Sequence, residues 1–163
     1  MILGNQVEWA IHCVVLLAAL PEKIHMSAKE LATFHAVPKE YLAKALQLLA
    51  NAGIVETGLG PTGGYRLQRS PKDISVLDIV EALEDKHSTF KCTEIRKQGP
   101  CRVASKLYAP ICQIAKTMYD ADEAWREVLR RRHISDLVEE LNRDLHPEVK
   151  QKTEKWLMRE VVQ

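Results

Sequence analysis

The sequence predicts a mainly α protein: a winged helix-turn-helix with a small β-hairpin wing and a long C-terminal dimerisation helix. Three observations predict it. Two short helices of apolar period are separated by the brief turn His35-Ala36-Val37. A glycine-rich tip, Gly58-Leu59-Gly60-Pro61-Thr62-Gly63-Gly64, lies between two short β-type runs. Ile111, Ile114, Met118, Ala121, Trp125 and Val128 recur at alternating steps of three and four, the spacing of a coiled-coil seam that pairs with a symmetry mate.

The elements follow in order. A first helix spans about 5–20 and ends before Pro21. A second spans 28–34; Ser27 with Glu30 three residues on forms a capping box. Pro38 suits the first position of a third helix, which runs to about Asn51 with Leu42, Ala45, Leu46 and Leu49 as its buried stripe. Gly53 ends it in a left-handed cap. Strands at 54–57 and 65–68 flank the glycine-rich tip. A fourth helix covers about 76–84 with Ser75 as its cap. The stretch 85–110 has no period, the long helix covers about 111–131, a short one covers 135–144, and a charged helix follows Pro147. The expected division is therefore 1–84 for DNA binding, 85–110 as a cysteine-bearing loop, and 111–163 as the helical dimerisation region.

A chain of 163 residues makes one domain with a helical appendage and buries a core without disulfide staples. Four cysteines, one of them (Cys13) inside an apolar helix, do not form a secreted disulfide framework. No basic leader precedes the first helix, and its apolar run is too short for a bilayer. A cytoplasmic setting, with reduced thiols free to bind metal and no membrane partner, is expected. The net charge is only +1, so bulk charge lends little to nucleic-acid binding and the motif must carry it. There is no glycine-rich nucleotide loop after a strand, no nucleophile elbow and no paired-histidine metal motif, so no enzyme activity is expected.

Cys92, Cys101 and Cys112 fall within 21 residues, between the expected DNA-reading module and the dimerisation helix. Thiolates are soft donors suited to iron–sulfur chemistry, and a helix N-terminus favours the thiolate at Cys112. Buried cysteines can equally be small apolar packing groups, which is the expectation for Cys13. Glu8 and His12 stand four apart, so they share one helix face and can grip one metal; such a pair also suits a plain solvated face. A Cys2HisGlu set would hold zinc as well, though there is no Cys-x-x-Cys knuckle. For DNA, Lys39, Glu40, Tyr41 and Lys44 open the third helix, where a helix-turn-helix reads base edges. Thr62, Gly63 and Tyr65 of the wing can meet phosphate.

Several stretches together resemble the Rrf2 family of bacterial winged-helix regulators, the group that includes IscR, NsrR and RsrR. They are Tyr41-Leu42-Ala43-Lys44, Gly60-Pro61-Thr62-Gly63-Gly64-Tyr65, Ser75-Val76-Leu77-Asp78-Ile79-Val80 and Ile134-Ser135-Asp136-Leu137-Val138, with the cysteines in the family's cluster-binding loop. The resemblance covers about the first 145 residues. It implies a homodimer that binds palindromic promoter DNA, more often as a repressor, and senses iron–sulfur status, nitric oxide or redox state. Val7-Glu8-Trp9-Ala10 with His12, Cys92-Thr93-Glu94-Ile95-Arg96 and Cys112-Gln113-Ile114-Ala115 are similar to the RsrR type. That likeness implies a [2Fe-2S] cluster held across the dimer by Cys92 and Cys112 of one subunit and Glu8 and His12 of the other. His35 is an alternative to His12. Trp9 would shift with the charge of the cluster. Cys101 is then a spare thiol, an extra ligand or one arm of a disulfide. The alternative function is a metal-free regulator of the same fold switched by a disulfide.

Overall fold

The computed structural model describes residues 3–21, 23–58, 63–84 and 89–161. Its elements are α1 (Asn5–Ala18), α2 (Ala28–His35), α3 (Lys39–Asn51), β1 (Val55–Thr57), β2 (Tyr65–Leu67), α4 (Val76–Leu83), α5 (Gln113–Arg130), α6 (Ile134–Asp144) and α7 (Pro147–Glu160). Turns of 3-10 helix lie at Pro71–Asp73, Ile95–Lys97 and Ser105–Leu107. The fold is the mainly helical winged helix-turn-helix that the sequence predicts. The chain forms two compact units, Ile2–Asp85 with Leu129–Gln163, and Lys86–Val128. Residues 111–163 are shared between them.

In the larger unit α1 is the hub. Its apolar residues return at helical spacing, so Val7, Ala10, Cys13, Val14 and Leu17 are all buried, and the helix packs on α3, α4, α6 and β2. Ala19 donates to the carbonyls of Val15 and Leu16, which closes α1 slightly short of Leu20. Leu31, Leu42, Leu46, Leu49, Ile54, Ile74, Ile79 and Ile134 complete the core with no exposed surface. Truncating one of these leucines to alanine costs about 2–5 kcal/mol.

The helix-turn-helix is set by its caps. Ser27 accepts from the Glu30 amide at 3.2 Å, while the Glu30 carboxylate accepts from the Ser27 amide at 2.6 Å. At the other end of α2, Ala36 is left-handed at φ 54°, and Val37 donates to the Ala32 carbonyl at 3.0 Å. This is the six-to-one closure of a Schellman turn. Pro38 is the N-cap of α3 rather than its first residue, because its ψ of 121° is extended while its carbonyl already receives the Leu42 amide. Gly53, at φ +68°, ends α3 in the left-handed region as its sequence position predicts.

β1 and β2 pair antiparallel, Val55 with Leu67 and Thr57 with Tyr65. Tyr65 also exchanges backbone hydrogen bonds with Met26, at 2.7 and 3.0 Å. This contact needs glycine at position 64, where a Cβ would stand 2.5 Å from the Met26 carbonyl carbon. The wing is thereby tied to the segment that enters α2. A second tie brings the C-terminal helices in: Val76 donates to the Arg132 carbonyl and Ile134 to the Ile74 carbonyl. α6 then packs on α1, and α7 sets Trp156 edge-on to Phe34 of α2 at 5.1 Å. No helix among the described residues is long and apolar enough to cross a membrane.

An alanine in the left-handed region carries a steric cost of about 1 kcal/mol that glycine avoids. Ala36 is also exposed, so its methyl packs against nothing that would be lost. Ala36→Gly is expected to stabilise the protein by about 1 kcal/mol, read as a rise in melting temperature; a fall would show that helix propensity outweighs the cap.

Candidate metal-ligand and DNA-reading site

The start of α3 presents Lys39, Glu40, Tyr41 and Lys44 outward, all exposed, because the stripe of Leu42, Ala45, Leu46 and Leu49 faces the core. The Lys44 ammonium sits 5.9 Å from the centre of the Tyr41 ring. In the wing, Gly63 and Tyr65 are half-buried, and Tyr65 is engaged through its backbone with Met26. Thr62 lies outside the described residues. Arg66 on β2, which the sequence reading passed over, pairs with Glu56 across the hairpin at 2.5 Å; opposite charges two short strands apart were the available signal.

Glu8 and His12 occupy the face of α1 opposite its buried stripe, and both are exposed. They line an open hollow of about 390 Å3 together with Leu3, Gly4, Asn5, Val7 and Ile11. Trp9, the next residue, is half-buried against the core. The His12 ring lies 5.7 Å from that of His35. The two histidines differ in setting. His35 packs edge-on to Phe34 at 4.9 Å, and its Nε2 is buried without a hydrogen-bond partner among the described residues. Burial, followed by the proximity of His12, pulls the His35 pKa down to about 4.

Cys13, in the larger unit, is fully buried in α1, and burial pushes its thiol up to about 12, as expected of a core residue. The smaller unit holds the other three cysteines. Cys101 is exposed, and Cys92 and Cys112 are half-buried. Cys112 stands just before α5, its carbonyl taking the Lys116 amide at 2.8 Å. The backbone N–H groups of Ala115 and Ile114, and then the charge of Arg96, hold the thiol below its ordinary range. This is the helix-terminus effect anticipated from sequence.

The loop between these cysteines is shaped by polar contacts that sequence reasoning missed. Glu94 sits at φ 54°, a left-handed position that costs a non-glycine residue about 1 kcal/mol. Arg96 holds both Glu94 oxygens, at 2.9 and 3.4 Å, and the Ala109 carbonyl at 2.9 Å. Tyr108 donates its hydroxyl to the Arg96 carbonyl at 2.9 Å and accepts the Val103 amide at 3.1 Å. Its ring lies 5.4 Å from the guanidinium. The hydrogen bond to Glu94 comes first in raising the Arg96 pKa, and the charges of Cys112 and Cys92 add to it. Arg96 thus joins the segment after Cys92 to the segment before Cys112, two cysteines 20 residues apart in the chain. Midway along α5, Asp122 accepts from the backbone and hydroxyl of Thr89, at 3.3 and 2.9 Å. The apolar residues Ile111, Ile114, Met118 and Val128 are exposed. Among the described residues no three His, Cys, Asp or Glu side chains gather as a metal ion requires.

A family model for the Rrf2 iron-dependent transcriptional regulators matches residues 3–140. The chain is 27% identical to the HTH-type transcriptional regulator NsrR of Shouchella clausii over 88% of its own length and 91% of that protein. It is 33% identical to protein aau3 of Rhizobium meliloti over 85% of each. Among solved structures, IscR of T. potens shares the fold with a TM-score of 0.68 at 20% identity, over 90% of this chain and 92% of that one.

Because His35 titrates lower when folded than when unfolded, the unfolded chain binds more protons between pH 6.5 and about 4. Stability is expected to fall as pH drops through that window. His35→Gln should flatten this part of the melting-temperature profile; an unchanged slope would assign it to other groups.

Proposed function

We propose, from the premise that this chain belongs to the Rrf2 family of transcriptional regulators, that it is an RsrR-type regulator: a homodimer that binds palindromic promoter DNA, most simply as a repressor, under the control of a [2Fe-2S] cluster. The family consists of DNA-binding proteins rather than enzymes. The observation that carries the reading is the tie that Arg96 makes between Glu94, two residues past Cys92, and the Ala109 carbonyl, three residues before Cys112, so one side chain brackets both thiols. A pair of thiols held this way supplies two soft, anionic donors.

Two thiols make half of a ligand set. Glu8 and His12, one turn apart on an exposed helix face beside an open hollow, supply a carboxylate and an imidazole that another subunit's cysteines can reach. His12 suits this role better than His35, because it lines the same hollow as Glu8 whereas His35 has its Nε2 buried. The exposed seam of α5, with Ile114 and Val128 roughly 70% exposed, is an apolar face of the kind a helical partner covers. When bound, the cluster supplies a one-electron redox change. Glu8 and His12 would pass the resulting change in charge to α1, with Trp9 beside them as the ring that adjusts. Since α1 packs on α3, a small rotation of α1 would carry the reading helix and alter the half-site spacing. Cys101, exposed on the loop, is outside this ligand set.

Protein purified without oxygen is expected to be coloured and to contain iron. Cys92→Ala and Cys112→Ala should each remove the visible absorption, and Cys101→Ala should retain it. Colourless wild-type protein whose DNA affinity is the same before and after peroxide overturns the reading. Colourless protein that instead forms a disulfide between Cys101 and one of the other loop cysteines supports the metal-free thiol switch. For the DNA face, Lys39→Ala and Lys44→Ala should each weaken operator binding and lower the slope of log affinity against log salt by about one.

A further inference from the structure

We infer that Arg96 is the positioning residue of the cysteine loop: it ties the segment after Cys92 to the segment before Cys112 and so brings the two thiols within reach of one another. The geometry is that of a clamp. Through Glu94 the guanidinium grips the chain two residues past Cys92, and through the Ala109 carbonyl it grips the chain three residues before Cys112. The Tyr108 ring packs near the guanidinium, and the Tyr108 hydroxyl returns to the Arg96 backbone, so the clamp is itself held in place. Glu94 meets Arg96 from a left-handed backbone, a conformation that persists only where surrounding contacts over-determine it. Lys97 adds a second cation to the same carboxylate at 3.1 Å.

Arginine suits the task because its planar fork can donate in several directions while keeping its charge. Lysine would keep the charge and lose the fork. The duty of the side chain is mechanical: without the clamp, nineteen intervening residues (93–111) must be ordered by other means before the thiols meet.

In cluster-free protein carrying Cys101→Ser, a short bis-maleimide should bridge Cys92 to Cys112 in preference to adding singly at each, read by mass spectrometry. Both Arg96→Gln and Arg96→Lys should lower the ratio of bridged to single adducts about tenfold, as the effective concentration of one thiol at the other falls. An unchanged ratio overturns the clamp. This measurement needs no cluster, so a colourless wild-type protein would count against the proposed function and leave the clamp to be decided on its own result.

Discussion

Everything in the larger unit depends on the burial of one side of α1. Ala10, Cys13, Val14 and Leu17 form a surface on which α3, α4, α6 and the wing strand β2 all pack. Removing that surface from water is worth roughly 25 cal/mol per Å2 of apolar area. The constraint has a functional side. A helix buried along one face cannot turn freely, so Glu8 and His12 are fixed on its opposite face with their relative orientation set by helical geometry alone. Whatever pushes on those two side chains pushes on the element against which the DNA-reading helix is seated.

The surrounding ties convert that hub into a stiff reading head. The wing does not hang from its two strands: Gly64 permits the backbone to approach Met26 closely enough for a pair of hydrogen bonds. The segments 74–76 and 132–134 are joined by a pair of backbone bonds, which brings Ile134 into the core and α6 onto α1. α2 is held from its outer side by Trp156 of α7 on Phe34, and Phe34 in turn contacts His35, which stands beside His12. A continuous row of rings thus runs from the C-terminal helix to the candidate ligand face. Rigid elements of this kind pass on small displacements as whole-body motions, because packed interiors do not deform continuously.

The cysteine loop is built on the opposite physical basis. Ile95, Val103 and Leu107 are exposed rather than buried, and the loop's order comes from hydrogen bonds around Arg96, Glu94 and Tyr108. Such contacts, near solvent, contribute little each, so this segment belongs to the low-stability end of the molecule, where segments that move are drawn from. The two units thus differ in what orders them: apolar burial in the larger, hydrogen bonds near solvent in the smaller.

The caps at Ser27 and Ser75, the stripe of α3, the glycine that ends it and the hairpin of the wing were legible in the sequence, because each depends on residues within a few positions of one another. Glu8 with His12, and the placing of Cys112 at a helix start, were legible for the same reason. The left-handed Ala36 was not, since alanine carries no signal for that conformation and only the closure between Ala32 and Val37 imposes it. Nor was the clamp. Glu94 and Arg96 can be read as a charged pair beside Cys92, but the partners that define their role, Tyr108 and Ala109, lie more than ten residues away. The sequence by itself determined the order of elements, their apolar faces and the identity of the ligand-type side chains, all of which follow from local periodicity and chemistry. The tertiary structure alone decided which distant segments meet: the seating of α6 on α1, the anchoring of the wing at Met26 and the tie that Arg96 makes between the segments beside Cys92 and Cys112. Those contacts hold because closing a loop of chain is entropically unfavourable until packing and hydrogen bonds offset it, and that balance exists only in the folded molecule.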